Sequence, residues 1–314
     1  MSMQTGILRD CFKREAKKER MEINRETVKI NGKKAAAAVR AEVASAVRCL
    51  REQGKRAPKL SVILVGEDAA SRTYVKGKEK ACQEVGIESE TIVLPAETSQ
   101  DDLLQAIRRL NEDSHTDGIL VQLPLPPQID EEQVVQAIDP DKDVDGFHIR
   151  NVGKLTKGKA ARYLPCTPSG IIELLHRNQI PIEGKHCVVI GRSNLVGKPL
   201  ALLLLEENGT VTLCHSKTAD LSSFCRSADI LVVATGNPRM IHGSMIKPGA
   251  VVIDVGIHRG EKGLCGDVDT ESCMGIASAI TPVPGGVGPM TVAMLMKNCL
   301  EAYRVLHAGR AEKQ

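Results

Sequence analysis

Short, almost wholly apolar runs alternate with amphipathic stretches along most of this chain. The first such run, Lys59-Leu60-Ser61-Val62-Ile63-Leu64-Val65, stops at Gly66. A helical pattern over residues 32–53, closed by Gly54, precedes it. Helical patterns over 69–85 and 101–110 and strand-like runs over 91–94 and 118–123 follow it. Strands with one wet face alternate apolar and polar residues, whereas strands covered on both faces read as continuous apolar runs. The pattern therefore predicts an α/β fold with a parallel sheet between helical layers. A second series begins near Pro168, with strand-like runs over 186–190, 210–214, 229–234 and 250–255. Between the two series, residues 147–164 carry Gly153, Gly158 and several lysines without periodicity, which places the interdomain connection there. Two α/β domains with a cleft between them are expected, in keeping with a length of 314 residues. No internal repeat is strong enough to use.

Composition narrows the function classes. Three Tyr, three Phe and no Trp leave the core to aliphatic residues and argue against nucleic-acid binding by base stacking. Forty-two basic against 39 acidic residues give a net charge of +3, which favours no polyanionic partner. No run approaches the roughly 18 apolar residues of a membrane-spanning helix. The ten cysteines include no C-x-x-C pair, and no His/Cys cluster has zinc-like spacing. They read as reduced thiols, several of them core fillers, in a cytoplasmic protein without a metal centre. Residues 1–26 are densely charged with both signs. A mitochondrial presequence would be poor in acids, yet Asp10, Glu15, Glu19 and Glu22 are present. The segment reads as a disordered or helical extension, with Met21 as an alternative start.

Prolines and glycines crowd Pro282-Val283-Pro284-Gly285-Gly286-Val287-Gly288-Pro289. Proline fixes φ and glycine opens positive φ, so the segment has a rigid course with exposed backbone, suited to pressing against a flat ligand. It equally suits a stiff loop before a helix that has Pro289 at its first position and runs on from Met290. Farther back, residues 187–190 lead into Gly191-Arg192-Ser193-Asn194-Leu195-Val196-Gly197-Lys198-Pro199 and then an apolar helix over 200–205. Strand, glycine turn and helix are the context of a dinucleotide fingerprint, with the helix N-terminus facing the pyrophosphate. Ser193 stands where a second glycine is usual, so an ordinary βα turn stays open. The next strand-like run ends in His215-Ser216-Lys217, without a carboxylate to hold a ribose 2′-hydroxyl. Ser216 and Arg192 suit a 2′-phosphate, which predicts NADP rather than NAD.

On the helix over 69–85, Ser71, Tyr74 and Lys78 share one face, while Arg72, Lys76 and Lys80 lie on others. An isolated Tyr/Lys pair can equally be a solvated lysine beside a surface ring. Gln122 closes a strand-like run before Leu123-Pro124-Leu125-Pro126-Pro127, and 139–147 is an acidic loop ending Lys142-Asp143-Val144-Asp145-Gly146-Phe147. Both lie beyond the carboxyl ends of strands, where α/β sheets place ligands. A calcium loop is an alternative for the second, but the glutamate at the twelfth position of an EF-hand is missing.

Taken together, Tyr74-Val75-Lys76-Gly77-Lys78, Gln122-Leu123-Pro124-Leu125-Pro126, Lys142 to Phe147, Pro165-Cys166-Thr167-Pro168, Gly191-Arg192-Ser193 and Pro282 to Thr291 resemble the bifunctional methylenetetrahydrofolate dehydrogenase/methenyltetrahydrofolate cyclohydrolase family, the FolD type. The motifs run from about Val28 to Leu306 in the family's order, leaving only the N-terminal extension outside. The resemblance implies a three-layer α/β folate-binding and catalytic domain over 27–147, with helix 290–308 packing back on it. It also implies a Rossmann-type NADP-binding domain over 148–289. The implied chemistry is NADP-dependent oxidation of 5,10-methylenetetrahydrofolate to the methenyl compound and hydrolysis of that cation to 10-formyltetrahydrofolate. Lys78 would be the catalytic lysine, Tyr74 would pack on the folate with Ser71 as a further substrate-binding residue, and Gln122 would tune Lys78. Asp145 would hold the pterin, with Pro284 and Gly285 as a wall. Gly191, Arg192, Ser193, Ser216 and Ile257 match cofactor-binding positions. A lysine acts as a base near neutral pH only where its neutral form is favoured, and a cationic substrate would supply that bias. A homodimer is implied as well. A dehydrogenase without cyclohydrolase activity and a non-catalytic NADP-binding protein are the alternatives. The intact Tyr74, Lys78, Gln122 and Asp145 argue against both.

Overall fold

A computed structural model of the chain describes residues 26–158, 161–260 and 263–308. The extension expected over 1–26 therefore lies outside the described residues except for its last position. In chain order the elements are β1 (Val28–Lys29), α1 (Gly32–Glu52), β2 (Lys59–Val65), α2 (Ala69–Val85), β3 (Glu88–Leu94), α3 (Gln100–Glu112), β4 (Gly118–Val121), α4 (Glu131–Ala137), α5 (Ile149–Thr156) and α6 (Cys166–Arg177). There follow β5 (His186–Ile190), α7 (Gly197–Glu206), β6 (Thr210–Cys214), α8 (Leu221–Ser227), β7 (Ile230–Val233), a single 3-10 turn (Gly243–Met245) and β8 (Val251–Asp254). The hairpin β9 (His258–Gly260) and β10 (Gly263–Cys265), then α9 (Thr270–Cys273), β11 (Ala279–Ile280) and α10 (Val287–Ala308), complete the chain.

These elements form two compact units. One comprises Gly32–Ile180, Ser193–Glu206 and the chain from Val287 onward. Its sheet has the order β3-β2-β4, with every pairing parallel. The other comprises the described residues up to Asn31, Pro181–Arg192 and Glu207–Gly286. Its six-stranded sheet has the order β1-β11-β8-β7-β5-β6, again parallel throughout. This is the α/β class with parallel sheets that the apolar runs predict.

Local chemistry sets where the helices begin and end. Asp68 caps α2 by accepting the Ser71 N–H at 2.7 Å, and Gly86 ends the helix at φ 79° while donating to the Cys82 carbonyl. Ser99 caps α3 in the same way, accepting the Asp102 N–H at 3.2 Å. The first unit's core gathers Ile63 and Val65 of β2, Leu103 and Ile107 of α3, and Ile119 and Val121 of β4. The second unit's core holds Val188, Ile190, Leu231, Val233, Val252 and Ile280 from four neighbouring strands. Each fully buried aliphatic side chain contributes about 1.5–3 kcal/mol before conformational entropy is subtracted. Among the described residues seven cysteines are buried and outside any disulfide, as expected of core fillers. Among the described residues no helix is long and apolar enough to cross a membrane.

Three expectations need correction. The segment 147–164 is not irregular throughout, because α5 forms from Ile149 to Thr156 with the His148 ring accepting the Arg150 N–H at 3.1 Å. Eight residues are too few for a 3.6-residue period to show. The last helix begins at Val287, so Pro289 is its third residue, still within the first turn where a missing N–H costs nothing. Finally, β3 starts at Glu88 rather than near Thr91, since an edge strand pairs on one side only and tolerates its polar first half.

Candidate active site

In the first unit, Tyr74 and Lys78 stand one turn apart on α2, and Gln122 follows the carboxyl end of β4. The Lys78 Nζ donates to Gln122 Oε1 at 2.9 Å, and Gln122 Nε2 donates to the Leu123 carbonyl at 2.6 Å. Both halves of the amide are thereby engaged, and its oxygen faces the lysine. Tyr74 remains 48% exposed, an open ring beside the half-buried ammonium group. Ser71 is buried one turn earlier, where its N–H serves the Asp68 cap, and it holds the Asp68 carboxyl below the usual carboxylate range.

Asp145 belongs to the same cluster. Burial pushes its pKa up, and the Lys78 charge pulls against that rise. The acidic loop around it divides its labour. Lys142 turns inward and donates to the carbonyls of Leu110, Asn111 and Asp113 at 2.9, 2.7 and 2.7 Å, closing the end of α3. Burial lowers the Lys142 pKa, opposed chiefly by Asp139. Asp143 accepts the N–H groups of Gly146, Phe147 and His148 and the Asn151 amide, so its carboxylate is spent on the loop. Asp145 is the carboxyl of this loop that feels the Lys78 charge. The neighbouring motif does matching work. Asn298 of α10 donates to the Val144 carbonyl at 2.8 Å and to the Leu164 carbonyl at 3.0 Å, and the Cys166 thiol donates to the Val144 carbonyl at 3.4 Å. Burial drives the Cys166 thiol well above its usual pKa, so it stays a neutral donor. Asn298 escaped the sequence reading. Its signal is a lone amide between the apolar Met294, Leu295, Met296 and Cys299.

In the second unit all strands of the larger sheet are parallel, so the segments after β5, β6, β7, β8 and β11 share one edge. The chain steps from β5 to β6 on one side and to β7 on the other, which makes the β5/β7 boundary the switch point where such sheets bind ligands. Gly191 sits there at φ 124°, its N–H bonded to the Cys214 carbonyl at 2.9 Å. A Cβ on Gly191 would collide with the Ala234 carbonyl oxygen, so the turn requires glycine. Arg192 is exposed, as is the next residue, Ser193, whose hydroxyl accepts the Val196 N–H at 3.1 Å ahead of α7. After β6 the turn is fixed by the His215 N–H to the Thr218 hydroxyl at 2.9 Å, leaving Ser216 and Lys217 exposed with no carboxylate between them. Ile257 follows β8 and is 44% exposed. Pro284 and Gly285 follow β11, with Gly285 at φ 104°. These residues fit a dinucleotide with a 2′-phosphate: a close backbone approach at Gly191, a free guanidinium, and no acid to repel the phosphate.

Comparison with known proteins agrees with this geometry. Residues 30–145 match the model of the tetrahydrofolate dehydrogenase/cyclohydrolase catalytic domain, and residues 165–307 match that family's NAD(P)-binding domain. A bifunctional FolD protein of Acetivibrio thermocellus is 57% identical over 277 residues, spanning 88% of this chain and 96% of its own length. The crystal structure of the bifunctional FolD methylenetetrahydrofolate dehydrogenase/cyclohydrolase from Campylobacter jejuni superposes with a TM-score of 0.87 at 46% identity, covering 89% of this chain and 99% of its own. The Trypanosoma brucei methylenetetrahydrofolate dehydrogenase-cyclohydrolase, solved with NADP cofactor and inhibitor, gives a TM-score of 0.85 at 40% identity, covering 92% of this chain and 99% of its own. With two family models matching in order and relatives this similar along nearly their whole length, the chain belongs to the tetrahydrofolate dehydrogenase/cyclohydrolase family.

Proposed function

We propose that this protein is a bifunctional enzyme of one-carbon folate metabolism. It oxidises 5,10-methylenetetrahydrofolate to the methenyl compound with NADP and hydrolyses that cation to 10-formyltetrahydrofolate. The observation that carries the reading is the chain of bonds from Lys78 to Gln122 to the Leu123 carbonyl, with Tyr74 open one turn away and Asp145 near enough to feel the Lys78 charge. Tyr74 stacks on the folate and Asp145 holds the pterin N–H groups, with Ser71 supporting the helix face and Pro284 and Gly285 forming a wall for the ring. Gly191, Arg192, Ser193, Ser216 and Ile257 would hold NADP, which would supply the hydride acceptor for the first reaction. Lys78, as the neutral amine that the cationic methenyl substrate favours, then takes a proton from the water that attacks the methenyl carbon, and Gln122 holds its Nζ in place. General-base help of this kind is worth about 10²–10⁴-fold.

The folate-binding and catalytic domain is assigned to 27–147 with helix 290–308 packing back on it, and the NADP-binding domain to 148–289. The packing of α10 against α1, α2 and α6 supports the return of that helix. We infer a homodimer formed through the nucleotide domain, because β6 is an open edge strand that exposes Leu213. A cytoplasmic location suits the unbonded cysteines.

The test is a paired assay on one preparation. Absorbance of reduced NADP should rise when methylenetetrahydrofolate is added, and methenyltetrahydrofolate should be consumed faster than in buffer without any cofactor. Failure of the first removes the dehydrogenase, and failure of the second leaves a dehydrogenase alone.

A further inference from the structure

Two carboxylates are buried behind the carboxyl ends of β7 and β8, in a part of the second unit that no step above uses. Asp254 is 1% exposed and Asp267 is 0% exposed. Asp254, the last residue of β8, accepts the N–H groups of Gly256, Asp267 and Val268 at 3.0, 2.9 and 3.0 Å. Its own N–H is held by the Thr281 hydroxyl at 2.7 Å. Asp267 then reaches forward. One oxygen accepts the N–H groups of Thr235 and Gly236 at 2.6 and 3.0 Å, and the other lies 2.6 Å from the His258 Nε2. The two side chains pack so tightly that a Cβ at Gly256 would overlap the Asp267 carboxylate and one at Gly266 would overlap that of Asp254.

The partners of Asp267 are significant for where they sit. Thr235 and Gly236 form the loop after β7, at the switch point beside Gly191, and His258, the first residue of β9, directly follows Ile257 at the end of the loop after β8. An isolated buried carboxylate is costly, and it persists here because donors on separate loops satisfy it. It thereby holds those loops in one arrangement. We propose that Asp267, acting through Thr235, Gly236 and His258, is a positioning residue that joins the loops after β7 and β8 into a single preformed edge for the NADP cofactor. The inference rests on the assignment of NADP to this edge. The loops would otherwise have to be ordered by the cofactor itself, which lowers affinity by the fraction of time they are correctly placed.

The experiment compares cofactor-dependent and cofactor-free steps in the full chain. Asp267→Ala should raise the Kd and KM for NADP about tenfold or more, in the range typical of lost supporting contacts, while methenyltetrahydrofolate hydrolysis without cofactor stays within about twofold. Asp267→Asn keeps an oxygen for Thr235 and Gly236 and should recover most of that loss. His258→Ala removes only the partly exposed partner and should raise the NADP Kd about threefold. An NADP Kd within about twofold of wild type in Asp267→Ala overturns the proposal, as do equal losses in both reactions, which mean a role in the fold alone. Should Asp267→Ala not fold, unchanged NADP binding in His258→Ala overturns it. Arg192→Ala serves as the reference. If it too leaves NADP binding unchanged, the cofactor site itself is misplaced, which is a different failure.

Discussion

The Lys78 Nζ lies 2.9 Å from Gln122 Oε1, a hydrogen bond that joins the middle of α2 to the end of β4. Because the other half of the Gln122 amide is held by the Leu123 carbonyl, the lysine has a fixed acceptor and one direction of approach. Lys78→Met should therefore separate the two reactions. Hydrolysis should fall by about 10²–10⁴-fold, the usual worth of a general base, while hydride transfer, which depends on stacking of the two ligands, should fall less. Methenyltetrahydrofolate should then accumulate during turnover. A folded variant that still hydrolyses it at a near-wild-type rate would falsify the assignment.

In the loop around Asp145, Asp143 is taken up by the N–H groups of Gly146, Phe147 and His148 and Asp141 by the Arg162 guanidinium, whereas the Asp145 carboxyl feels the Lys78 charge. Asp145→Ala should weaken folate binding by roughly 1.5–3 kcal/mol, the worth of a charged hydrogen bond, or about tenfold and upward in Kd. NADP binding should not change. Titration calorimetry with each ligand decides the point, and an unaltered folate Kd places Asp145 outside the site.

Asn298 supports that loop from α10 through the carbonyls of Val144 and Leu164. Asn298→Ala removes both bonds, strips the Leu164 carbonyl of this donor, leaves the Val144 carbonyl only the weak Cys166 thiol, and should cost about 1–3 kcal/mol of stability. Folate KM should rise with it, because Val144 precedes Asp145. Urea unfolding together with folate saturation curves would show this, and a variant with wild-type midpoint and KM contradicts it.

The turn at His215, Ser216 and Lys217 carries no acid, and Arg192 is free at the same sheet edge. NADP should be preferred over NAD. Ser216→Asp should cut kcat/KM for NADP about tenfold or more by placing a charge against the phosphate, with little effect on NAD. Equal use of the two cofactors by the unaltered enzyme contradicts the reading.

Asp254 has its pKa raised from 3.8 to about 6, first by burial and then, among the smaller causes, by the nearby Asp267 charge, although three backbone N–H groups oppose the rise. The folded protein thus binds a proton more tightly than the unfolded chain does. This group's contribution is greatest below about pH 4 and is lost as pH rises through about 6, a change of roughly 1–3 kcal/mol. Asp254→Asn cannot titrate, so the stability difference between wild type and variant should change between pH 4 and 6 and level off above about 7. A difference independent of pH across that window refutes the shift.

Much of this protein is written in its sequence. The continuous apolar runs at β2, β5 and β7 determine parallel sheets buried on both faces, since only strands without a wet face can dispense with polar alternation. The spacing of Tyr74 and Lys78 puts both on one face of α2 wherever that helix packs. The missing acid after β6 is likewise a local fact. Other features depend on which distant segments meet. Lys142, Asp143 and Asp145 are equally acidic-loop residues on paper, and only packing turns Lys142 onto the end of α3, spends Asp143 on its own loop, and brings Asp145 within reach of the Lys78 charge. Asn298 lies 154 positions from the carbonyl it supports, and Asp267 lies 32 from the Thr235 N–H it holds. The physical reason is the same in each case. A local pattern fixes backbone period and face, but the need to satisfy a buried polar group is met by whatever tertiary packing brings within about 3 Å.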